Sequence, residues 1–253
     1  MRDKIKNSQY FESFIDKKIS FLHRYIEAYS DESLEFKKRL GFAYDFFRNR
    51  CHIAVASYSA GASVSDVREQ SIAAIDALQV FVELGQQDRE YFLYGDGGGY
   101  SGGFDMWYRL LAWCILFDLP REKTDIVLDY LVLQMSNPEH ATDALANKLI
   151  KALGYPGQDE TDHLLWPEAY APLYECFKQA DVYPERQLQA FMKDWYHNMS
   201  DTYWYENHKG RHDTYFGYWC FEAAAVAKIL NIDDAALKDH PNYPYDARHG
   251  MKS

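Results

Sequence analysis

Residues 217–230 read Gly217-Tyr218-Trp219-Cys220-Phe221-Glu222-Ala223-Ala224-Ala225-Val226-Ala227-Lys228-Ile229-Leu230, and Asn231-Ile232-Asp233-Asp234 follows directly. Aromatic side chains begin this stretch and small apolar side chains continue it, so it predicts a buried helix that ends in an acidic turn. Glu222 is the one carboxylate within the apolar run. A buried carboxylate has to be paired or protonated, so we expect Glu222 to be held by a tyrosine hydroxyl, a histidine or an arginine.

The rest of the chain shows a similar helical pattern. In residues 10–29, apolar side chains recur three or four positions apart with basic side chains between them, which predicts an amphipathic helix. We expect further helices at residues 34–58, 65–85, 106–117, 121–135, 139–153, 168–180, 185–199 and 214–230. Ser65 is the expected N-cap of the third helix and Gly85 its end. No stretch alternates with the period of a strand, so we predict an all-α fold without a significant sheet.

The chain of 253 residues is longer than most single domains, which favours two packed helical domains. Ser136-Asn137-Pro138 interrupts the helical pattern, and we therefore place the N-terminal domain at residues 1–135 and the C-terminal domain at residues 136–253. Residues 95–103 hold six glycines and predict a loop. Helix-like sequence precedes this loop and no lysine follows it directly, so it is not a phosphate-binding loop.

The net charge of −11 is unevenly distributed along the chain. Residues 1–50 carry +3, so the remainder carries −14. An acidic body repels phosphate backbones and attracts basic protein surfaces, so we expect no direct binding of nucleic acid. Charge alone also fits a simpler explanation, namely that acidic surfaces keep the protein soluble.

The N-terminus lacks the apolar core of a secretory signal, and no apolar run approaches the roughly 20 residues that span a membrane. We therefore expect a cytoplasmic protein that does not bind membranes. The four cysteines are far apart and form no Cys-x-x-Cys pair, which indicates buried free thiols.

Several short motifs coincide in this sequence. Gly217-Tyr218-Trp219-Cys220-Phe221-Glu222 is followed by Ile232-Asp233-Asp234 and by Tyr243-Pro244-Tyr245-Asp246, and Tyr58-Ser59-Ala60-Gly61 joins two predicted helices in the first half. Together these motifs resemble the PoNi-type immunity proteins. These are bacterial proteins with N- and C-terminal helical domains that neutralise polymorphic nuclease toxins. The structural motif of the resemblance comprises Gly217, Tyr218, Trp219, Phe221 and Glu222.

The resemblance implies a binding protein and not an enzyme. Its partner would be a cognate nuclease toxin of the PoNe-type DNase class, used in competition between bacteria, for instance through type VI secretion. It implies no catalytic residue, no metal and no cofactor. The acidic composition agrees with this role, since a DNase carries a basic surface that an acidic inhibitor can occupy.

Candidate partner-binding residues lie mainly between Trp195 and Asp213, where acidic and aromatic side chains alternate. They are Asp201, Trp204, Glu206, His208 and Asp213, together with Asp233 and Asp234 after the buried helix. Two other interpretations remain open. The segment could be a polar loop that packs its tryptophans on the next helix, with Asp233 and Asp234 capping a short helix. Alternatively, an all-α metal-dependent hydrolase could use His208, His212 and Asp213 as ligands, although Lys209 and Gly210 do not fit a zinc-protease helix.

Overall fold

The structure is a computed structural model that describes residues 1–94, 104–135, 143–157, 160–180 and 182–250. These residues form eleven α-helices and no β-strand, which confirms the all-α prediction. The helices are α1 (Ser8–Ser30), α2 (Phe36–Ala60), α3 (Val64–Gly85), α4 (Arg89–Tyr94), α5 (Phe104–Leu116), α6 (Arg121–Met135), α7 (Ala144–Ala152), α8 (Pro167–Lys178), α9 (Pro184–Asn198), α10 (Phe221–Ile229) and α11 (Tyr245–His249). Within the described ranges, no helix combines the length and the hydropathy needed to cross a bilayer.

The chain divides into two compact units. Unit 1 comprises Met1–Ser101, Arg121–Tyr130 and Arg211–Gly217, and unit 2 comprises Gly102–Pro120, Leu131–Gly210 and Tyr218–Ser253. The boundary at residues 135 and 136 stays a prediction. The predicted glycine loop at residues 95–103 and the break at residues 136–138 lie outside the described residues.

Unit 1 is built around α2, which packs against both α1 and α3. Phe47 of α2 stacks on Phe81 of α3 with 6.5 Å between ring centroids. The capping residue of α3 is Ser63 and not Ser65, because the Ser63 hydroxyl accepts the Asp66 N–H while the Asp66 side chain accepts the Ser63 N–H. This reciprocal pair is a capping box, which satisfies two otherwise free donors at the helix start.

Hydrogen bonds to the Tyr58-Ser59-Ala60-Gly61 motif hold the first residues of the chain in place. The backbone N–H groups of Arg2 and Asp3 donate to the Ser59 carbonyl at 3.0 and 3.1 Å. Gly61 has a φ of +95°, and a Cβ there would lie 2.7 Å from the Met1 nitrogen. Only glycine tolerates both the left-handed backbone and this close approach.

The segment Arg211–Gly217 belongs to unit 1 and is not helical, contrary to the helix predicted over residues 214–230. Two backbone carbonyls of this segment accept hydrogen bonds from other side chains of unit 1. The Tyr10 hydroxyl donates to Tyr215 O at 2.9 Å, and the Ser59 hydroxyl donates to Phe216 O at 2.8 Å. The Phe216 ring stacks on His52 at 4.3 Å. These contacts use carbonyls that a helix would need, so α10 begins only at Phe221.

Unit 2 is built around α10, which contacts α5, α8, α9 and α11. Its residues Ala223, Ala224, Ala225, Val226 and Ala227 are fully buried. Small side chains allow the neighbouring helices to approach closely, so the stretch that opened the sequence analysis is the packing centre of this unit. Pro167 and Pro184 begin α8 and α9, one residue before the predicted starts at residues 168 and 185.

Candidate partner-binding surface

The end of α9 and the loop after it form an aromatic cluster in unit 2. Tyr196 stacks on Tyr205 at 4.8 Å between ring centroids and lies 4.9 Å from the Tyr218 ring. Tyr203 is 57% exposed, and Tyr196 and Tyr205 are half-buried. We call the solvent-facing side of this cluster the aromatic surface and define it by Tyr196, Asp201, Tyr203, Tyr205, Glu206 and His208.

Trp204 anchors the loop from below. Only 2% of Trp204 is exposed, and its Nε1–H donates to Asp105 Oδ2 at 2.9 Å. Arg109 donates to the same carboxylate oxygen at 3.1 Å. Burial raises the pKa of Asp105, and the charge of Arg109 acts in the opposite direction. The burial of Trp204 argues against its direct contact with a partner and supports the alternative that this ring packs the loop onto the core.

The Tyr218 hydroxyl organises the polar side of the loop. It donates to Asn207 Oδ1 at 3.0 Å, accepts the His208 N–H at 3.2 Å and lies 2.8 Å from His208 Nδ1. Burial raises the pKa of Tyr218 well above its ordinary value. His208 is thereby fixed in position by a residue of the structural motif.

Glu206 adopts a left-handed backbone, with a φ of 55°. Such a conformation is uncommon for a side chain of this type and costs of the order of 1 kcal/mol or more. The Glu206 N–H donates to the Tyr196 hydroxyl at 3.3 Å, and the Lys209 ammonium donates to Glu206 Oε1 at 2.6 Å. The hydrogen bond from Lys209 lowers the pKa of Glu206. The contacts of Glu206 with Tyr196 and Lys209 therefore favour one position of this exposed residue, and the Lys209 hydrogen bond favours its charged form.

Glu222 is buried and hydrogen bonded, as the sequence predicted. It is 4% exposed, the Tyr170 hydroxyl donates to its Oε1 at 2.8 Å, and the Trp195 Nε1–H donates to the same oxygen at 3.3 Å. Burial raises the pKa of Glu222 above its ordinary value, while the hydrogen bonds and the Arg109 charge oppose that rise. Since Trp195 also stacks on Trp204 at 5.8 Å, Glu222 supports the base of the aromatic surface.

Asp233 and Asp234 belong to a different cluster of unit 2. Asp234 is 3% exposed and accepts the Tyr243 hydroxyl at 2.5 Å and Arg248 Nη1 at 2.8 Å. Burial opposes the charged form, but hydrogen bonds from Tyr243, Arg248 and His249 outweigh it and lower the pKa of Asp234. This buried ion pair ties the Ile-Asp-Asp motif to the Tyr-Pro-Tyr-Asp segment and argues against direct partner contact by Asp234.

Asp233 is exposed, and its side chain accepts the Ala235 N–H at 3.0 Å. This bond confirms the predicted local capping of the short 3₁₀ turn Ala235–Leu237. Such a bond leaves the outer face of the carboxylate open to solvent, so Asp233 stays in the proposed contact set.

A family model described as PoNe immunity proteins (PoNi), C-terminal, matches residues 141–247. Residues 141–247 are therefore similar to the C-terminal domain of the PoNe immunity proteins, and the match covers less than half of the chain. The match includes both the aromatic surface and the buried Glu222 and Asp234 clusters. A comparison with curated proteins found no match, and neither did a comparison with solved structures.

The structure divides the predicted residues between the two units. Asp201, Glu206 and His208 lie on the aromatic surface of unit 2, whereas Asp213 is an exposed residue of unit 1. In the part of the chain that the structure describes, no group of three or more His, Cys, Asp or Glu side chains could hold a metal ion. The hydrolase interpretation with His208, His212 and Asp213 therefore has no ligand set among these residues.

Sequence reasoning missed Tyr196, Tyr203 and Tyr205 as candidate partner-binding residues. The signal was available, because the chain carries 21 tyrosines and several of them cluster around Trp204. Tyrosine and tryptophan are enriched at the centres of protein interfaces. What the sequence could not show is which of these rings face solvent.

Proposed function

We propose that the chain is a non-catalytic immunity protein that binds a cognate nuclease toxin, of the PoNe DNase type, and blocks its activity. The family match at residues 141–247 carries this proposal. A protein of this kind acts where the toxin meets DNA, which favours the cytoplasm. The toxin would be one used in competition between bacteria, including those delivered by type VI secretion.

The aromatic surface supports protein binding. Interface hot spots are enriched in tyrosine and tryptophan held rigidly by their neighbours. Here Tyr203 is largely exposed, while buried Trp204 and Tyr218 fix the loop that carries it. A preorganised loop loses little conformational entropy on binding, so its exposed rings are suitable anchors.

The charge distribution supports a basic partner. Asp201 and Glu206 are exposed carboxylates of the same loop as Tyr203, and the chain as a whole is acidic. A DNase surface that binds phosphate backbones is positively charged. Complementary charges accelerate the encounter of two proteins and repel nucleic acid from the inhibitor.

Co-expression with a candidate PoNe-type DNase toxin tests the proposal. We expect rescue of the host and a complex close to one to one. Rising salt should slow association much more than it accelerates dissociation, since long-range attraction acts on the encounter. Absence of both rescue and complex would refute the proposed function, and salt-independent association would remove its electrostatic part.

A charge-neutralising variant tests the aromatic surface. Replacing Asp201→Asn and Glu206→Gln together should reduce toxin affinity at least tenfold and leave the melting temperature nearly unchanged, because exposed carboxylates contribute little to folding. The matched control neutralises two other exposed carboxylates of unit 2, Glu168→Gln and Asp239→Asn. Equal affinities of the two double variants would place the interface elsewhere.

A further inference from the structure

Unit 2 contains a pocket lined by lysines. Its volume is about 330 Å³, at the lower end of the range for small-molecule sites. Residues from α7, α8 and the segment between them line it, and they include three lysines, Lys148, Lys151 and Lys178, and two carboxylates, Glu160 and Asp162. A pocket of this size accepts a side chain or a small anion but not a large cofactor.

Close packing and hydrogen bonds fix several residues of the pocket walls. Asn147 is buried on α7, and a Cβ at position 157 would collide with its Oδ1 and lie 2.9 Å from Lys151 Cγ. Glycine is therefore needed at position 157 for the chain to close against these two side chains. On the opposite wall, the Tyr174 hydroxyl donates to Asp162 Oδ1 at 3.0 Å, and burial raises the pKa of Tyr174 to about 12.

The lysine charges are not fully used inside the protein. Lys148 forms no ion pair with any described residue. Lys151 lies 3.5 Å from Glu160, and Lys178 lies 3.6 Å from Asp162, 3.5 Å from Glu175 and 4.9 Å from the centre of the Tyr174 ring. Strong charge-assisted hydrogen bonds are about 2.7–2.9 Å long, so the three ion pairs are loose. Lys148 thus offers its ammonium group to a further acceptor, and Lys151 and Lys178 are held beside it only by loose pairs.

We propose that this pocket binds an acidic side chain, an aspartate or glutamate carboxylate, of the toxin that the protein neutralises. The proposal rests on the proposed function. It adds a contact between lysines of this protein and a carboxylate of the toxin to the contact between the aromatic surface and basic side chains of the toxin. A carboxylate is compact enough for the pocket and accepts hydrogen bonds from several ammonium groups at once. Pairing of this kind selects one partner among related basic toxins, because a toxin without the carboxylate leaves the lysines unpaired.

The surroundings of the pocket disfavour nucleic acid as the occupant. Glu160, Asp162 and Glu175 stand beside the lysines, and unit 2 holds more acidic than basic residues. A polyphosphate chain that entered the pocket would extend over this negative rim and be repelled. A protein can instead place one carboxylate in the pocket and basic side chains against the rim.

Binding of the PoNe-type toxin that the parent protein neutralises to a Lys148→Met/Lys178→Met variant tests the proposal. Methionine keeps an apolar stem without the charge, and Lys238→Met on the exposed surface of the same unit is the matched control. Isothermal titration should show at least a tenfold loss of toxin affinity in the double variant and less than a twofold change in the control. If the double variant melts at a lower temperature than the parent, Lys148→Gln/Lys178→Gln replaces it in the same titration.

Succinate and inorganic phosphate serve as probes of the pocket chemistry. In the parent protein with ¹³C-dimethylated lysines, succinate should shift the Lys148 signal and weaken toxin binding by competition. Parent-like toxin affinity in both double-lysine variants would overturn the pocket proposal while leaving the proposed function intact. Failure of the parent to bind the toxin would overturn both. A single-stranded DNA oligonucleotide that binds the parent but not the double variant would overturn the proposal in favour of a nucleic acid site.

Discussion

Replacing Glu222 by alanine is the sharpest test of how unit 2 is held together. The Tyr170 hydroxyl and the Trp195 N–H both donate to one oxygen of this buried carboxylate. Each buried donor without an acceptor costs about 1–3 kcal/mol. The carboxylate itself is disfavoured by burial, as its raised pKa indicates, so its removal returns part of that cost. We expect Glu222→Ala to lower the free energy of unfolding by about 2–4 kcal/mol.

Glu222→Gln is the matched control, because the amide keeps an acceptor oxygen for both donors and does not titrate. The pKa of Glu222 in the folded protein is raised above its ordinary value of 4.5. Its contribution to stability is therefore fully present below pH 4.5 and is lost as the pH rises through the folded-state pKa. The parent should thus lose stability relative to Glu222→Gln as the pH rises from 4.5.

Urea denaturation followed by circular dichroism at several pH values measures these differences. Toxin titration of the same variants separates folding from binding. An alanine variant as stable as the parent, or identical pH profiles for the parent and Glu222→Gln, would refute the assignment. Loss of toxin binding at unchanged stability would instead make Glu222 an interface residue.

Three further outcomes follow from the contacts. Trp204→Ala should lower the free energy of unfolding by about 3–5 kcal/mol, because it leaves a large buried cavity and removes the hydrogen-bond donor to Asp105. A melting temperature equal to that of the parent would contradict the anchoring role of Trp204. Gly61→Ala should lower the free energy of unfolding by at least about 1 kcal/mol, because position 61 has a positive φ and lies close to the Met1 backbone. Ala60→Gly is the comparison at the neighbouring residue. An unchanged urea midpoint of Gly61→Ala would argue against the close approach to Met1. Asp234→Asn should lower the free energy of unfolding at neutral pH. Because the folded-state pKa of Asp234 is lowered from 3.8, the stability difference between parent and variant should shrink as the pH falls below 3.8 through that pKa. A stability difference that does not depend on pH in acid denaturation would contradict the ion pair with Arg248.

Local sequence patterns predicted the helices well because helix formation depends on residues three or four positions apart. Gly85 ended α3 as expected, and Pro167 and Pro184 began their helices. The patterns failed where a distant group competed for the backbone. Residues 214–220 were expected to be helical, but Tyr10 and Ser59 take two of their carbonyls. The cap of α3 was placed two residues late, since Ser63 and Ser65 are equally good caps by type and only the side chain of Asp66 distinguishes them.

The candidate surface was predicted as a region but not as a set of exposed atoms. The alternation of Trp, Tyr, Asp and Glu between Trp195 and Asp213 indicated its position in the chain. The structure shows that Trp204 and Asp234 are buried and therefore differ from the exposed candidates. It also shows that Lys148 and Lys178, which are far apart in sequence, line the same pocket. Neither result follows from residue type, because an aromatic or acidic side chain fits a core and a surface equally well once its polar atoms are paired.

The sequence by itself determined the helical class, the burial of the stretch around Glu222 and the need of that carboxylate for a partner, because apolar periodicity and the cost of burying a charge act at the level of a single helix. It also carried the motifs that resemble those of the PoNi-type immunity proteins. Only the tertiary structure decided that Tyr170 and Trp195 are the partners of Glu222, that Trp204 lies under the loop and Tyr203 on it, and that three lysines converge on one pocket. These choices depend on side chains that meet through packing of separate helices, and no local pattern specifies which surfaces will face each other.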